Sequence, residues 1–169
     1  MSRMGALPIR KIISGGQTGV DRGALNAAIL LKIPHGGWCP HRRRAEDGRI
    51  PDRYQLQESV SFDYQVRTEQ NVLEADATLI VHNGKISAGT ALTRRLALKH
   101  RRPLYTVNLG MATDPAACRR WLRENQVQVL NVAGPRESSH PGIEQAAADW
   151  IASMLSGKAR QLPGSLNSD

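Results

Sequence analysis

Ser14-Gly15-Gly16-Gln17-Thr18-Gly19 stands between a short strand-like run, residues 9–14, and a helical pattern from Val20 to Lys32. No other feature constrains the fold as strongly. A strand that turns into a helix through glycines is the repeating unit of a parallel α/β sheet. The rest of the chain repeats that alternation. Val20, Ala24, Leu25, Ala28, Ile29 and Leu31 recur at helical spacing. Pro34 disfavours helical backbone at Ile33, and a brief second strand follows over residues 35–38. Residues 65–75 read as a helix, and Ala77-Thr78-Leu79-Ile80-Val81 as a central strand buried on both faces. A helix follows from Thr90 to Lys99, then a strand from Leu104 to Asn108. Next come a helix over 114–125, capped by Asp114 with Pro115 at its first position, and a strand from Val127 to Val132. The last helix, Pro141 to Leu155, carries Ile143, Ala147, Trp150, Ile151 and Met154 on one stripe.

Five strands alternating with helices specify a Rossmann-like, doubly wound, mostly parallel sheet flanked by helices. The expected organisation is one domain over 1–156, with a polar, frayed tail over 157–169. Residues 39–63, interrupted by Pro40, Gly48 and Pro51 and containing Arg42-Arg43-Arg44, form the least regular stretch. Aromatic residues make up only 4% of the chain, so aliphatic side chains and alanine must fill the core. That favours helices on a parallel sheet over an all-β sandwich.

The formal charge of +8 suits an anionic partner. Cys39 and Cys118 are the only cysteines and make neither a disulfide framework nor a C-x-x-C site. The five histidines (35, 41, 82, 100 and 140) lack metal-ligand spacing, so no metal site is expected. Neither a signal-peptide pattern over Met1–Pro8 nor an apolar run of about 18 residues is present. The expectation is a cytoplasmic protein without a membrane partner.

A doubly wound sheet binds ligands beyond the carboxyl ends of its strands, where strand order reverses. That rule selects the loops starting at Ser14, Asn83 and Ala133. In the first, Gly15, Gly16 and Gly19 let the backbone approach an anion, and the helix start offers N–H groups to it. Gln17 and Thr18 add donors, Arg22 can neutralise charge, and Asp21 either caps the helix or faces the ligand. The glycines fall as G-G-x-x-G, which is neither the dinucleotide pattern G-x-G-x-x-G nor a Walker A loop. The acidic ribose ligand expected after the second strand is also absent, since His35-Gly36-Gly37-Trp38 stands there.

The second loop, Asn83-Gly84-Lys85-Ile86-Ser87-Ala88-Gly89-Thr90, repeats the strand–loop–helix arrangement. Asn83, Gly84, Ser87, Gly89 and Thr90 are its candidate ligand contacts, although capping alone accounts for Ser87 or Thr90. Arg136, after the last strand, is either a third contact or a surface residue. Two such loops at neighbouring strands would clamp one small anionic ligand, with phosphate or a nucleotide as a surrogate.

The runs S-G-G-Q-T-G-V-D-R-G-A-L, A-E-D-G-R-I-P, Y-Q-L-Q-E, R-T-E-Q-N-V-L-E-A-D-A-T-L-I-V and S-A-G-T resemble the molybdenum cofactor carrier family over residues 9 to about 155. That family belongs to a Rossmann-like superfamily shared with the Lonely Guy phosphoribohydrolases, often misnamed lysine decarboxylases, and with DNA-processing proteins. The resemblance implies a homo-oligomer, dimer or tetramer, that holds the molybdenum cofactor (a phosphorylated pterin) and delivers it to molybdoenzymes. It implies phosphate contacts at Gly15, Gly16, Thr18 and Gly19, and at Ser87, Gly89 and Thr90. The phosphoribohydrolases carry P-G-G-x-G-T-x-x-E, whose glutamate is catalytic; here Thr93 occupies that position. A threonine cannot serve as a carboxylate acid or base.

The rival reading is a hydrolase of a nucleotide-derived substrate, phosphoribohydrolase-like or phosphatase-like, with Asp21, Glu46 or Asp47 activating water. Nucleic-acid binding rests only on Arg94, Arg95, Lys99, Arg101 and Arg102 around one helix. The scarcity of aromatics for base stacking argues against it.

Overall fold

The computed structural model describes residues 6–157. A five-stranded parallel sheet forms its centre: β1 (Lys11–Ile13), β2 (His35–Gly36), β7 (Ala77–His82), β8 (Leu104–Asn108) and β9 (Val129–Ala133), in the order β2-β1-β9-β7-β8. Two small two-stranded ladders sit outside it. One pairs β3 (Trp38–Cys39) with β6 (Gln57–Glu58), the other β4 (Arg44–Ala45) with β5 (Gly48–Arg49). The helices are α1 (Val20–Leu30), α2 (Tyr64–Glu74), α3 (Ala88–Lys99), α4 (Pro115–Glu124) and α5 (Ile143–Ser156).

Every residue of β7 is buried, as its unbroken apolar run requires of a strand covered on both faces. Ala77, Leu79 and Val81 enter a core with Val20, Ala24 and Ala28 of α1, Cys118 and Leu122 of α4, and Ile143, Ala147 and Ile151 of α5. A separate cluster joins Val72 of α2 to Leu96 and Ala97 of α3. Helices α1, α4 and α5 therefore share one apolar cluster, and α2 and α3 another. The Asp114 carboxylate accepts the Ala116 N–H at 3.0 Å, with Pro115 opening α4, as the sequence pattern requires.

The expected second strand, residues 35–38, is split. Gly37 at φ +123 turns the chain, and a Cβ there would lie 2.2 Å from the Ser14 carbonyl oxygen. Trp38 and Cys39 consequently leave the main sheet and pair with β6. The irregular stretch 39–63 is also better organised than its breakers suggest. Arg43 ties it together from within, its guanidinium donating to the carbonyls of Ile50, Pro51 and Tyr54. Apart from Gly157, the expected tail over 157–169 lies outside the described residues.

The order of the sheet decides where the site is. Counted from β9 instead of β1, the strands run third-second-first-fourth-fifth, the order of a doubly wound nucleotide-binding fold. The connections diverge between β9 and β7: the helix after β9 packs on α1, whereas the helix after β7 packs with α2. The carboxyl ends of those two strands flank the crevice.

Candidate functional site

A cleft of about 470 Å³ opens at that boundary. Its floor is the end of β9, from Asn131 to Gly134, and its walls come from the Ser14 loop, the first turns of α2 and α3, and the loop carrying Arg136. Of the residues singled out in the sequence, Gly15, Gln17, Asp21, Ser87, Gly89, Thr90 and Arg136 line it. The other candidate ligand contacts lie elsewhere.

The first glycine loop is closed in part by the protein's own groups, although the Gly15, Gly16 and Gly19 N–H groups have no acceptor among the described residues. The Gln17 N–H donates to Asp21 Oδ2 at 3.2 Å, and the Thr18 N–H to Gln17 Oε1 at 3.0 Å. Val20 N–H is taken by the Pro135 carbonyl and Arg22 N–H by that of Gln17. Gly16, at φ +80, packs against Leu56 and Ile50 rather than the cleft. Gly19, at φ +82, is required because a Cβ would lie 2.3 Å from the Pro135 carbonyl oxygen. Asp21 does not cap α1: Gly19 holds the cap position without a side-chain bond.

Thr18 and Arg22 face a second, more open hollow beside Glu46, Asp47 and Glu144. Asp47 grips the Arg22 guanidinium with two bonds of 2.6 and 2.8 Å, and Arg22 Nε donates to the Gly16 carbonyl. Those bonds hold the Asp47 carboxyl below its ordinary range. Glu46 accepts from the Ser138 hydroxyl at 2.5 Å, from the Ser138 N–H and from the Thr18 hydroxyl, which likewise lowers its carboxyl. Both acids latch loops together.

The second loop is different. Ser87 caps α3, its Oγ accepting the Thr90 N–H at 3.3 Å and lying 3.0 Å from Thr90 Oγ1. The Ala88 and Gly89 N–H groups are taken by no acceptor among the described residues. A Cβ on Gly89 would meet nothing within 4 Å. Asn83 and Gly84 sit away from the cleft: Gly84 donates to Asn108 Oδ1 at 3.1 Å, and His82 Nδ1 bonds the Gly84 carbonyl. Thr93 is buried on the cleft wall and donates its hydroxyl to the Gly89 carbonyl at 3.2 Å.

Sequence reasoning passed over Arg67. A helix leading into a parallel strand runs antiparallel to it, so the start of α2 overlies the carboxyl edge of the sheet. That brings Tyr64, Arg67, Thr68 and Asn71 to the cleft. The Arg67 guanidinium lies against Gly15, where a Cβ would come within 1.7 Å of Nη1. Its Nη1 is 3.9 Å from Asp21 Oδ2, and its buried Nε has no hydrogen-bond partner among the described residues. The only signal was position, one turn into a helix entering a central strand. Burial pushes the Asp21 carboxyl up to about 6, against the opposing pull of Arg67, the Gln17 N–H, Ser14 and Arg22.

Residues 12–155 match the model of the circularly permutated YpsA SLOG family. The chain belongs to that family. The sheet order explains the description, since the strand that would open an unpermuted fold, β9, comes last here. A crystal structure from Syntrophus aciditrophicus SB, named "Putative molybdenum carrier protein", is 45% identical with a TM-score of 0.85. The match covers 89% of this chain and 98% of that one. Among curated protein sequences, none matches the chain. No helix among the described residues is long and apolar enough to cross a membrane. Nor do three or more His, Cys, Asp or Glu side chains among them come together to hold a metal ion.

Proposed function

We propose that this SLOG-family protein is a carrier that holds a phosphorylated, pterin-type ligand, the molybdenum cofactor, in the cleft between β9 and β7. The observation that carries the reading is the open first turn of α3. Its Ala88 and Gly89 N–H groups are unspent, and the Ser87 and Thr90 hydroxyls stand beside them. A helix start of this kind attracts phosphate through directed N–H groups and the positive end of the helix dipole. Arg67 and Arg136 on the facing walls supply neutralising charge. The cleft volume lies within the range of small-ligand sites, about 300–1,000 Å³, and leaves room for a ring system beyond a phosphate. The carrier name of the 45% identical Syntrophus protein supports the choice of cargo.

The hydrolase reading is the weaker one. Glu46 and Asp47 are committed to Ser138 and Arg22, and the Thr93 hydroxyl is committed to a helix carbonyl. Homo-oligomerisation and delivery to a molybdoenzyme belong to the same proposal. The exposed Val60, Phe62 and Leu98 offer apolar surface for contact.

Native mass spectrometry of the freshly purified protein tests the cargo. A copurifying phosphorylated pterin is the expected result. Release of base or phosphate from a nucleotide panel, with turnover lost in Asp21→Asn, would replace the carrier by a hydrolase.

A further inference from the structure

Asp21 and Arg67 are an ion pair set in the wall of the cleft, and neither is fully satisfied. Their separation of 3.9 Å is too long for a hydrogen bond, and both side chains are largely buried, at 8% and 13% exposed. The Arg67 Nε is buried without an acceptor. Asp21 keeps a hydrogen bond from the Gln17 N–H. The groups facing Asp21 are Arg67 from α2, Arg22 from α1, Ser14 at the end of β1 and the Gln17 N–H. Of the two cations, Arg22 is already bound bidentately by Asp47. Among the described residues, Arg67 is the one cation near Asp21 with capacity to spare, and it lines the same cleft as the open turn of α3.

An oxyanion seated between Arg67 and Ala88–Gly89 would therefore contest the guanidinium with an ionised Asp21 nearby. Two negative charges within a few ångströms in a buried site do not both persist: one takes up a proton.

We propose that Asp21 and Arg67 form a proton-operated gate, in which the bound oxyanion takes over Arg67 while Asp21 gains one proton from solvent. The inference rests on the reading of the cleft as an oxyanion site, and it adds how capture and release are controlled. Binding tightens as pH falls and release is favoured as it rises. The burial that already lifts the Asp21 carboxyl to about 6 puts this transition in an accessible range.

Sulfate is the probe, because it stays dianionic throughout the range and contributes no titration of its own. Calorimetry in two buffers of different protonation enthalpy, from about pH 5 to about pH 8, measures affinity and proton uptake together. The expected result is an affinity that falls by about tenfold per pH unit above about pH 6, with uptake approaching one proton per sulfate. In Asp21→Asn both the pH dependence and the uptake vanish, while binding at the alkaline end strengthens. In Arg67→Gln sulfate binding is lost at every pH.

A flat profile without proton uptake in the unaltered protein overturns the gate and leaves the oxyanion site standing. Uptake that persists in Asp21→Asn, or sulfate binding unchanged in Arg67→Gln, also overturns it. Failure of both the unaltered protein and Asp21→Asn to bind sulfate at any pH removes the site and the gate together. The proton count in the unaltered protein needs no variant, so a misfolded substitution does not protect the idea.

Discussion

The two glycine loops look equivalent in sequence and are opposites in space. Around Gly15, Gly16 and Gly19 every glycine makes room for the protein itself: the Arg67 guanidinium, Leu56 with Ile50, and the Pro135 carbonyl. Around Gly89 a Cβ would have nothing within 4 Å among the described residues, and two N–H groups of that turn have no acceptor among them. A glycine-rich strand–helix turn reports that something approaches the backbone closely, and that something is either the rest of the fold or a ligand. The glycines of the first loop make room for the protein, whereas Gly89 of the second stands in open space.

Gly19→Ala breaks the comparison most severely. Its backbone conformation is unfavourable for a side chain and its Cβ has no space, so a loss of roughly 3 kcal/mol or more is expected in thermal or denaturant unfolding. Gly16→Asp loses less: its φ of +80 disfavours a side chain, but the nearest atom, Leu56 Cδ1 at 2.5 Å, ends a flexible side chain that can shift. A well-folded Gly16→Asp protein with weakened ligand binding would return the first loop to the cleft.

Asp21→Asn gives a smaller effect of opposite sign. A carboxyl raised to about 6 contributes stability that is complete below its unfolded value of 3.8 and lost as pH rises through about 6. The amide escapes that loss and keeps an oxygen for the Gln17 N–H. Denaturant titrations should show the variant more stable by ~1–3 kcal/mol near pH 8 and unchanged near pH 4.

Thr90→Glu tests the second loop directly. A carboxylate beside Ser87 repels an anion at the helix start, so phosphate or nucleotide affinity should fall by roughly tenfold or more, alongside a loss of stability because Thr90 is buried. Gly89→Ala is the mildest and the most discriminating change. With open space around it, alanine should add ~0.5–1 kcal/mol of stability while reducing anion affinity. Stability gained with affinity intact would mean that nothing approaches Gly89.

Much of the fold is legible in the sequence because its strongest signals are local. The apolar run at Ala77, the Asp114-Pro115 start of α4 and the limits of β8 follow from neighbours in the chain. The split of the short second strand is not legible, because Gly37 turns to avoid Ser14, a residue distant in sequence. At the site, Ser87, Gly89 and Thr90 stand out as a loop opening a helix. Arg67 does not, because its role depends on α2 lying across the same sheet edge.

By itself, the sequence determined the alternation of strands and helices, the glycine turns and the threonine at position 93. Only the tertiary structure decided which turn has open space around its glycine. Whether a backbone N–H is free depends on what packs against it, and those partners come from everywhere in the chain: Pro135 for Val20, Asp21 for Gln17, and no acceptor for Gly89 among the described residues.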